Sequence, residues 1–467
     1  MTTRPHITTD LYHTRIVYPM RSPAPVDRPV ALSIAGSDSG GGAGIQADLQ
    51  SFANHGAYGT TAITAVTAQH TRGVESSHVL PPEEIEAQLA AVAEDFDVSA
   101  AKTGMLATAS IVELVTDHVT EASFPTVVDP VMVAASGDRL LAPAAEDAYA
   151  DLVAEAAVVT PNADEAAVLT GIEIEDETSA RSAGEALLDL GADAALVKGG
   201  HVPGDVVRDV LVAPRGSTTI AHPRVEGAAT HGSGCTLASA IAARLAHGED
   251  IETAVRTAIE GMGRAIRYHY DVGEGAGAVH HLAPLRDRAA REETAEAVQA
   301  VVDRIVDAGA DSLLPEVGMN VVGATPYAES PSDAAAVEGR ITRTMAGPWP
   351  NRGVRFGASS HVARFLIAAR EVRPALRFAA NCRFDEGVEA ALDVLEWPVA
   401  EYDRAAEPEG AAGTMDWAAR QVFEGVEEPP VAVLDRGAHG KEPMTKLVAT
   451  DAGTLAERAV ELAERVA

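Results

Sequence analysis

Lysine is nearly absent from this chain: four stand in 467 residues (Lys102, Lys198, Lys441, Lys446), and arginine supplies the remaining basic side chains. Basic charge of either kind is scarce, 36 residues against 69 acidic ones, for a net charge of −33. The acids are spread along the sequence, which leaves no basic tract to hold nucleic acid or an anionic membrane. Such a surface fits a high-salt cytoplasm, where screening blunts the self-repulsion. Cysteine is almost as rare. Cys235 and Cys382 are too few for a disulfide framework and suit a reducing compartment. No apolar run approaches the ~18 residues of a membrane span. Residues 1–28 lack the apolar centre of a signal peptide and end in the Pro-rich Arg21-Ser22-Pro23-Ala24-Pro25, so an unstructured extension and a cytoplasmic protein are expected. A chain of this length should form two or three domains.

What is present centres on Ala228-Ala229-Thr230-His231-Gly232-Ser233-Gly234-Cys235-Thr236-Leu237-Ala238-Ser239-Ala240-Ile241. Two glycines end a loop, and a small-residue helix follows. A helix start leaves backbone N–H groups unpartnered and carries partial positive charge. Gly232 and Gly234 let an anion approach those groups closely. Cys235 in the first turn would sit beside the anion, with its thiol pKa lowered by the same field. An anion held next to a titratable group is what phosphoryl transfer to a hydroxyl needs. A glycine turn capping a helix, with a buried cysteine, is the plainer reading of the same residues.

Upstream, short apolar runs alternate with helical patterns. Val30–Gly36 reads as a buried parallel strand and leads into a glycine-rich turn carrying Asp38, with Asp48 a helical stretch beyond. The turn is neither a dinucleotide fingerprint nor a Walker A loop. Further strands are expected at Ala62–Val66, Ala100–Gly104, Thr126–Met132, Ala157–Thr160 and Ala194–Lys198, with a helix near Glu83–Glu94. This alternation predicts a mainly parallel sheet with helices on both faces. Ligands of such sheets bind beyond the carboxyl ends of the strands. Asp129, Asn162, Glu165, Lys198 and the Gly232–Cys235 loop all fall there.

Seven motifs in order resemble the hydroxymethylpyrimidine/phosphomethylpyrimidine kinases over residues 29–283. They are Ala35–Asp48, Thr67–Val74, Lys102–Leu106, Val128–Met132, Thr160–Ala166, Lys198–His201 and Thr230–Cys235. The resemblance implies a ribokinase-like fold and two successive ATP-dependent phosphorylations of 4-amino-5-hydroxymethyl-2-methylpyrimidine, on the way to thiamine. It places Gly36, Asp38, Gln69 and Met105 around the pyrimidine, and the Gln69 amide can pair with a ring nitrogen and an exocyclic amine. It places Gly232 and Gly234 in an anion hole and Cys235 at the position of the catalytic base. Asn162 and Glu165 would organise Mg²⁺ through water, while Asp129 and Lys198 supply phosphate and metal electrostatics. ATP and Mg²⁺ are the implied cofactors, and a homodimer the implied assembly. A pyridoxal or sugar kinase is the competing reading of this half. His280 and His281 near its end point apart and are taken as structural.

Residues 284–294 read as a short, helix-like linker, and a new alternation starts with an amphipathic helix at Thr294–Ala308. Ser359 or Ser360 can cap a helix beginning at His361, so that Arg340, Arg355 and His361 would offer an anion site at its start. Lys441, in a glycine loop, is a phosphate candidate; Asp435 is a site acid or a turn residue, and Cys382 a core thiol. Gly318-Met319-Asn320, Gly339-Arg340-Ile341, Phe356–His361 and Asp435–Pro443, the last including His439, resemble the archaeal-type thiamine-phosphate synthase domain over residues 295–467. The resemblance implies an α/β domain that joins the pyrimidine diphosphate to a thiazole phosphate and releases pyrophosphate. Arg340 and His361 would be its catalytic groups, with Asn320 and Lys441 binding substrate. A non-catalytic, ligand-sensing domain is the alternative.

Overall fold

The computed structural model describes residues 26–133, 140–141, 145, 148–225, 230–407, 413–438 and 440–466. The proposed extension up to residue 25, together with Ala228, Ala229 and His439, lies outside these.

The first half builds strands β1 (Val30–Ser37), β2 (Tyr58–His70), β3 (Gly73–Val79), β4 (Val98–Thr103), β5 (Thr126–Val128), β6 (Val158–Val159), β7 (Ala195–Val197), β8 (Val206–Ala213) and β9 (Gly216–Pro223). They form one sheet in the order β3-β2-β1-β4-β5-β6-β7-β8-β9, parallel from β2 to β7 and antiparallel at both margins. Helices α1 (Gly44–Asn54), α2 (Pro82–Asp95), α3 (Ala109–Glu121), α4 (Tyr149–Ala154), α5 (Ala163–Thr170), α6 (Glu177–Asp189), α7 (Ser233–Ala246) and α8 (Ile251–Arg267) cover it. Successive strand residues serve opposite faces. Leu32, Ala101, Val128 and Val159 pack under α2 to α6, whereas Ala31, Ala100, Val127 and Val158 pack under α1, α7 and α8. This period of two, with both faces apolar, explains the continuous apolar runs of the sequence.

Helices α9 (Ala283–Ala289) and α10 (Arg291–Asp307) occupy the expected linker and run into the second half. There follow β10 (Val321–Ala324), β11 (Ala334–Val337), β12 (Ile341–Thr344), β13 (Gly347–Pro350), β14 (Val354–Phe356), α11 (His361–Val372), β15 (Phe378–Arg383), α12 (Glu386–Leu395), β16 (Val399–Glu401), α13 (Thr414–Phe423), β17 (Ala432–Asp435), β18 (Met444–Ala449) and α14 (Ala452–Val466). The sheet order is β14-β11-β10-β15-β18-β17-β16, and only the β16–β17 pair is parallel. One face packs on α10, α12 and α14, the other on α11 and α13. β12 and β13 form a separate hairpin.

The halves meet along α8 and α9. Arg264 pairs with Asp287, Glu329 and Asp333, Arg267 pairs with Glu329, and the Tyr327 amide donates to Asp287. His280 stacks on Tyr270 at 4.3 Å and touches the Tyr327 hydroxyl at 3.2 Å, while the adjacent His281 donates to the Gly42 carbonyl. The two histidines thus join the glycine loop of the first half to the second half. Among the described residues no helix is long and apolar enough to cross a membrane.

Candidate active site

Every strand of the parallel run ends on the same edge, and the motif residues collect there. The turn after β1 is shaped from within by Asp38. Its carboxylate accepts the N–H groups of Gly40 (2.8 Å), Gly42 (3.0 Å) and Ala43 (2.8 Å), and the His231 ring donates to it at 3.1 Å. Burial opposes ionisation, yet the His231 bond and the loop amides hold the Asp38 pKa below its ordinary value. The carboxylate expected to bind the pyrimidine is therefore engaged by its own loop.

The second glycine loop locks onto the first. Gly232 has φ +80°, and a Cβ there would lie 1.8 Å from the Gly42 carbonyl oxygen. Only glycine fits both the backbone angle and the contact. α7 begins at the next residue. Gly234 faces the cationic part of the site: its Cβ position is 3.4 Å from the Lys198 ammonium and 3.7 Å from Asp129. Lys198 pairs with Asp129 at 3.2 Å and lies 3.9 Å from Glu165. Burial, reinforced by Asp129 and opposed by Lys198, pushes Glu165 up to about 7. Asn162 and Glu165 form a reciprocal capping box at the start of α5, with bonds of 2.9 and 2.8 Å. At the other side of the edge, the Gly36 Cβ position is 3.1 Å from the Met105 sulfur. Gln69, half-buried, accepts from the Thr67 hydroxyl at 3.3 Å.

Cys235 does sit in the first turn of α7, but its expected low pKa is overturned. Burial pushes the thiol up to about 11, against the positive charge of Lys102, and Asp48 and Asp129 add to the rise. The helix-start field is outweighed by desolvation of the thiolate. Lys102 is one of the four lysines and opens the Lys102–Leu106 motif. It is fully buried and bonded to both oxygens of Asp48 at 3.0 Å, while Ser33 and Ser239 donate to the same carboxylate. That network ties β1, α1, β4 and α7 together directly under the site.

Oxygen donors dominate here, and the described residues contain no group of three or more His, Cys, Asp or Glu that could cage a metal. Asn162 and Glu165 at the start of α5, with Asp129 beyond Lys198, offer oxygen donors that would suit a hydrated Mg²⁺. The residues present fit that ion.

In the second half, three of the four motifs converge. The Met319 amide donates to Ile341 (2.9 Å), and the Ile341 amide donates back to Met319 (2.7 Å). Arg340, at φ +66°, donates to the Val317 carbonyl at 2.5 Å, and the Glu442 carboxylate accepts the amides of Glu316 (2.7 Å) and Val317 (3.2 Å). Lys441 is exposed in the turn beside it. Three expectations are corrected. Both ends of the Asn320 amide are taken by the backbone of Val337 (3.0 and 3.2 Å), so this side chain is a structural clamp. Ser360 occupies the cap position of α11 without a side-chain cap bond. Arg355 pairs with Glu338 at 3.2 Å and does not join an anion site with His361. His361 is exposed at the start of α11, and its side chain makes no hydrogen bond or ion pair among the described residues.

Asp435, expected as a site acid or a turn residue, lies at the centre of a buried cluster on the α11/α13 face. Asp435 accepts from Tyr402 (2.5 Å), from Arg404 through two nitrogens and from the Gly437 amide (3.0 Å), while Lys446 donates to the Tyr402 hydroxyl at 3.0 Å. The rarity of lysine was the signal available for Lys446. Cys382 is buried, and burial pushes its thiol up to about 12.

The sequence profile described as phosphomethylpyrimidine kinase matches residues 38–280, and that described as thiamine-phosphate synthase ThiN matches residues 297–461. The hydroxymethylpyrimidine/phosphomethylpyrimidine kinase of Streptomyces coelicolor is 47% identical over 258 residues, covering 55% of this chain and 96% of that one. The thiamine biosynthesis bifunctional protein ThiED of Geobacter sulfurreducens is 44% identical over 267 residues, 56% of this chain and 54% of that one. Among solved structures, an ADP complex of Bacillus subtilis pyridoxal kinase superposes with a TM-score of 0.52 at 33% identity, covering 55% of this chain and 98% of that one.

Proposed function

Because the chain belongs to the phosphomethylpyrimidine kinase family, we propose that its first domain, residues 29–283, phosphorylates hydroxymethylpyrimidine twice with ATP. Residues 295–467 then condense the resulting diphosphate with thiazole phosphate to give thiamine phosphate and pyrophosphate. The protein is a thiamine-biosynthetic enzyme that carries a kinase and a synthase domain on one chain. The observation that carries the kinase half is the meeting of the two glycine loops over Lys198 and Asp129.

The Gly36 and Met105 wall, with Gln69, holds the pyrimidine so that its hydroxymethyl oxygen faces the start of α7. The amides at Gly232–Cys235 and the Lys198 ammonium bind the transferred phosphoryl oxygens, which is where charge accumulates. Asn162 and Glu165 would organise hydrated Mg²⁺ through water, with Asp129 adding negative charge beside them, and the ion when bound would neutralise phosphate charge. With its thiol near 11, Cys235 is neutral at physiological pH. The neutral thiol positions the substrate hydroxyl, and the hydroxyl proton passes to an oxygen of the transferred phosphoryl group as the oxygen–phosphorus bond forms. In the second domain Arg340 and His361 stabilise the departing pyrophosphate, and Lys441 reaches its outer oxygens. The acidic surface is read as adaptation to a high-salt cytoplasm, and the working form as a homodimer.

The test is one reaction: full-length protein in molar KCl with Mg-ATP, hydroxymethylpyrimidine and thiazole phosphate, followed for ADP and thiamine phosphate. Both products are expected. ADP without thiamine phosphate, even with the diphosphate supplied, would replace the synthase by a sensor domain.

A further inference from the structure

Two lysines of this chain are almost wholly buried, and they are held differently. Lys102 is fully paired, with both Asp48 oxygens at 3.0 Å. The side chain of Lys446 is 5% exposed, yet among the described residues only the Tyr402 hydroxyl lies within hydrogen-bond distance. The nearest carboxylate, Asp435, is 3.8 Å away, its oxygens already taken by Arg404, Tyr402 and the Gly437 amide. The ammonium otherwise faces rings, with Phe365 at 5.2 Å and Tyr402 at 5.0 Å. Lys446 and Arg404 thus place two cations around one buried carboxylate, with the half-buried Glu407 adding its field at Arg404. A buried ammonium with spare donors is costly unless an anion completes it.

Its position in the sheet is equally specific. Lys446 stands opposite Asn381 on β15 and Val433 on β17. Asn381 bonds the Asn320 amide and the Gly318 carbonyl, and Asp435 opens the loop that carries Lys441 and Glu442. The lysine therefore lies in the polar row beside the converged motifs.

We infer that Lys446 is a phosphoryl-binding group of the second domain, held in place by Tyr402, with Arg404 and Asp435 fixing that tyrosine. This rests on the synthase reading. The ligand chemistry is a phosphate or diphosphate oxygen, from either the pyrimidine diphosphate or the thiazole phosphate. Burial lowers the Lys446 pKa to about 8, so an incoming anion would also hold its proton.

The test uses full-length protein and inorganic pyrophosphate. By calorimetry, Lys446→Met should bind one pyrophosphate fewer per chain than wild type, and Lys446→Arg should restore it. In turnover, Lys446→Met should raise KM at least tenfold for one of the two phosphorylated reactants, which identifies the source, while pyrimidine phosphorylation is unchanged. Unaltered pyrophosphate binding and unaltered KM values overturn the assignment. Should Lys446→Met not fold, trace acetylation of wild type decides: pyrophosphate should slow Lys446 labelling at least tenfold. No protection, or an amine that reagent never reaches, also overturns it. If wild type makes no thiamine phosphate, the synthase reading fails, while pyrophosphate binding and labelling still judge the lysine.

Discussion

Cys235 shows how burial decides the chemistry of a single residue. A helix start lowers a thiol pKa and a desolvated pocket raises it, and here the second effect wins, leaving the thiol near 11. Alkylation by iodoacetamide at pH 8 should therefore run ~100-fold slower than for a free cysteine, because the thiolate fraction falls tenfold per pKa unit. Peptide mapping against time measures it, with Cys382 slower still. Cys235→Ala should lower pyrimidine phosphorylation by ~10²-fold, the loss expected when the substrate hydroxyl is no longer held in line. Synthase turnover on supplied diphosphate should be unchanged, and a coupled assay of both products reads the split.

At the scale of elements, the kinase site is two glycine loops closing on each other. Gly232 and Gly171 both have positive φ, at +80° and +73°, but only Gly232 faces a backbone oxygen within 2 Å of its Cβ position. Gly171→Ala at the end of α5 should cost ~1 kcal/mol from backbone strain alone. Gly232→Ala must part the loops, so phosphorylation should fall below ~1% of wild type. Paired denaturation curves and kinase rates separate the two cases.

For the whole molecule, pH acts through groups scattered across it. Burial lowers the pKa of His55, His280 and His281 to about 4 from an ordinary 6.5. Between those values the unfolded chain binds more protons, so stability is lost as pH falls through that window. Glu165 works the other way. Its carboxyl, raised to about 7 from 4.5, makes the folded chain the better proton binder, and stability is lost as pH rises through that range. Three groups outweigh one, so melting temperature should drop between pH 6.5 and 4. Glu165→Gln should deepen that acid loss by removing the opposing group. With a net charge of −33, raising KCl from 0.1 to 2 M should raise the melting temperature at pH 7.5.

Amino-acid order alone specifies the parallel sheet of the first half, because a strand buried on both faces reads as a continuous apolar run. It also determined which residues end those strands: Asp129, Asn162, Glu165 and Lys198 are adjacent in sequence to the runs they terminate. The amphipathic α10 was legible for the same reason, through Val298, Val301, Val302 and Ile305. What the polar side chains do depends on the assembled fold. Asp38 turns to its own loop, Asn320 clamps Val337, and Arg355 pairs with Glu338, because the folded backbone sets which donors and acceptors compete for each polar group. The mostly antiparallel second sheet and the Lys446–Tyr402–Asp435–Arg404 cluster were hidden too. Tyr402 and Lys446 are 44 residues apart and sheet partners such as Phe378 and Ala449 further still, and local periodicity carries no record of which distant strand will lie alongside.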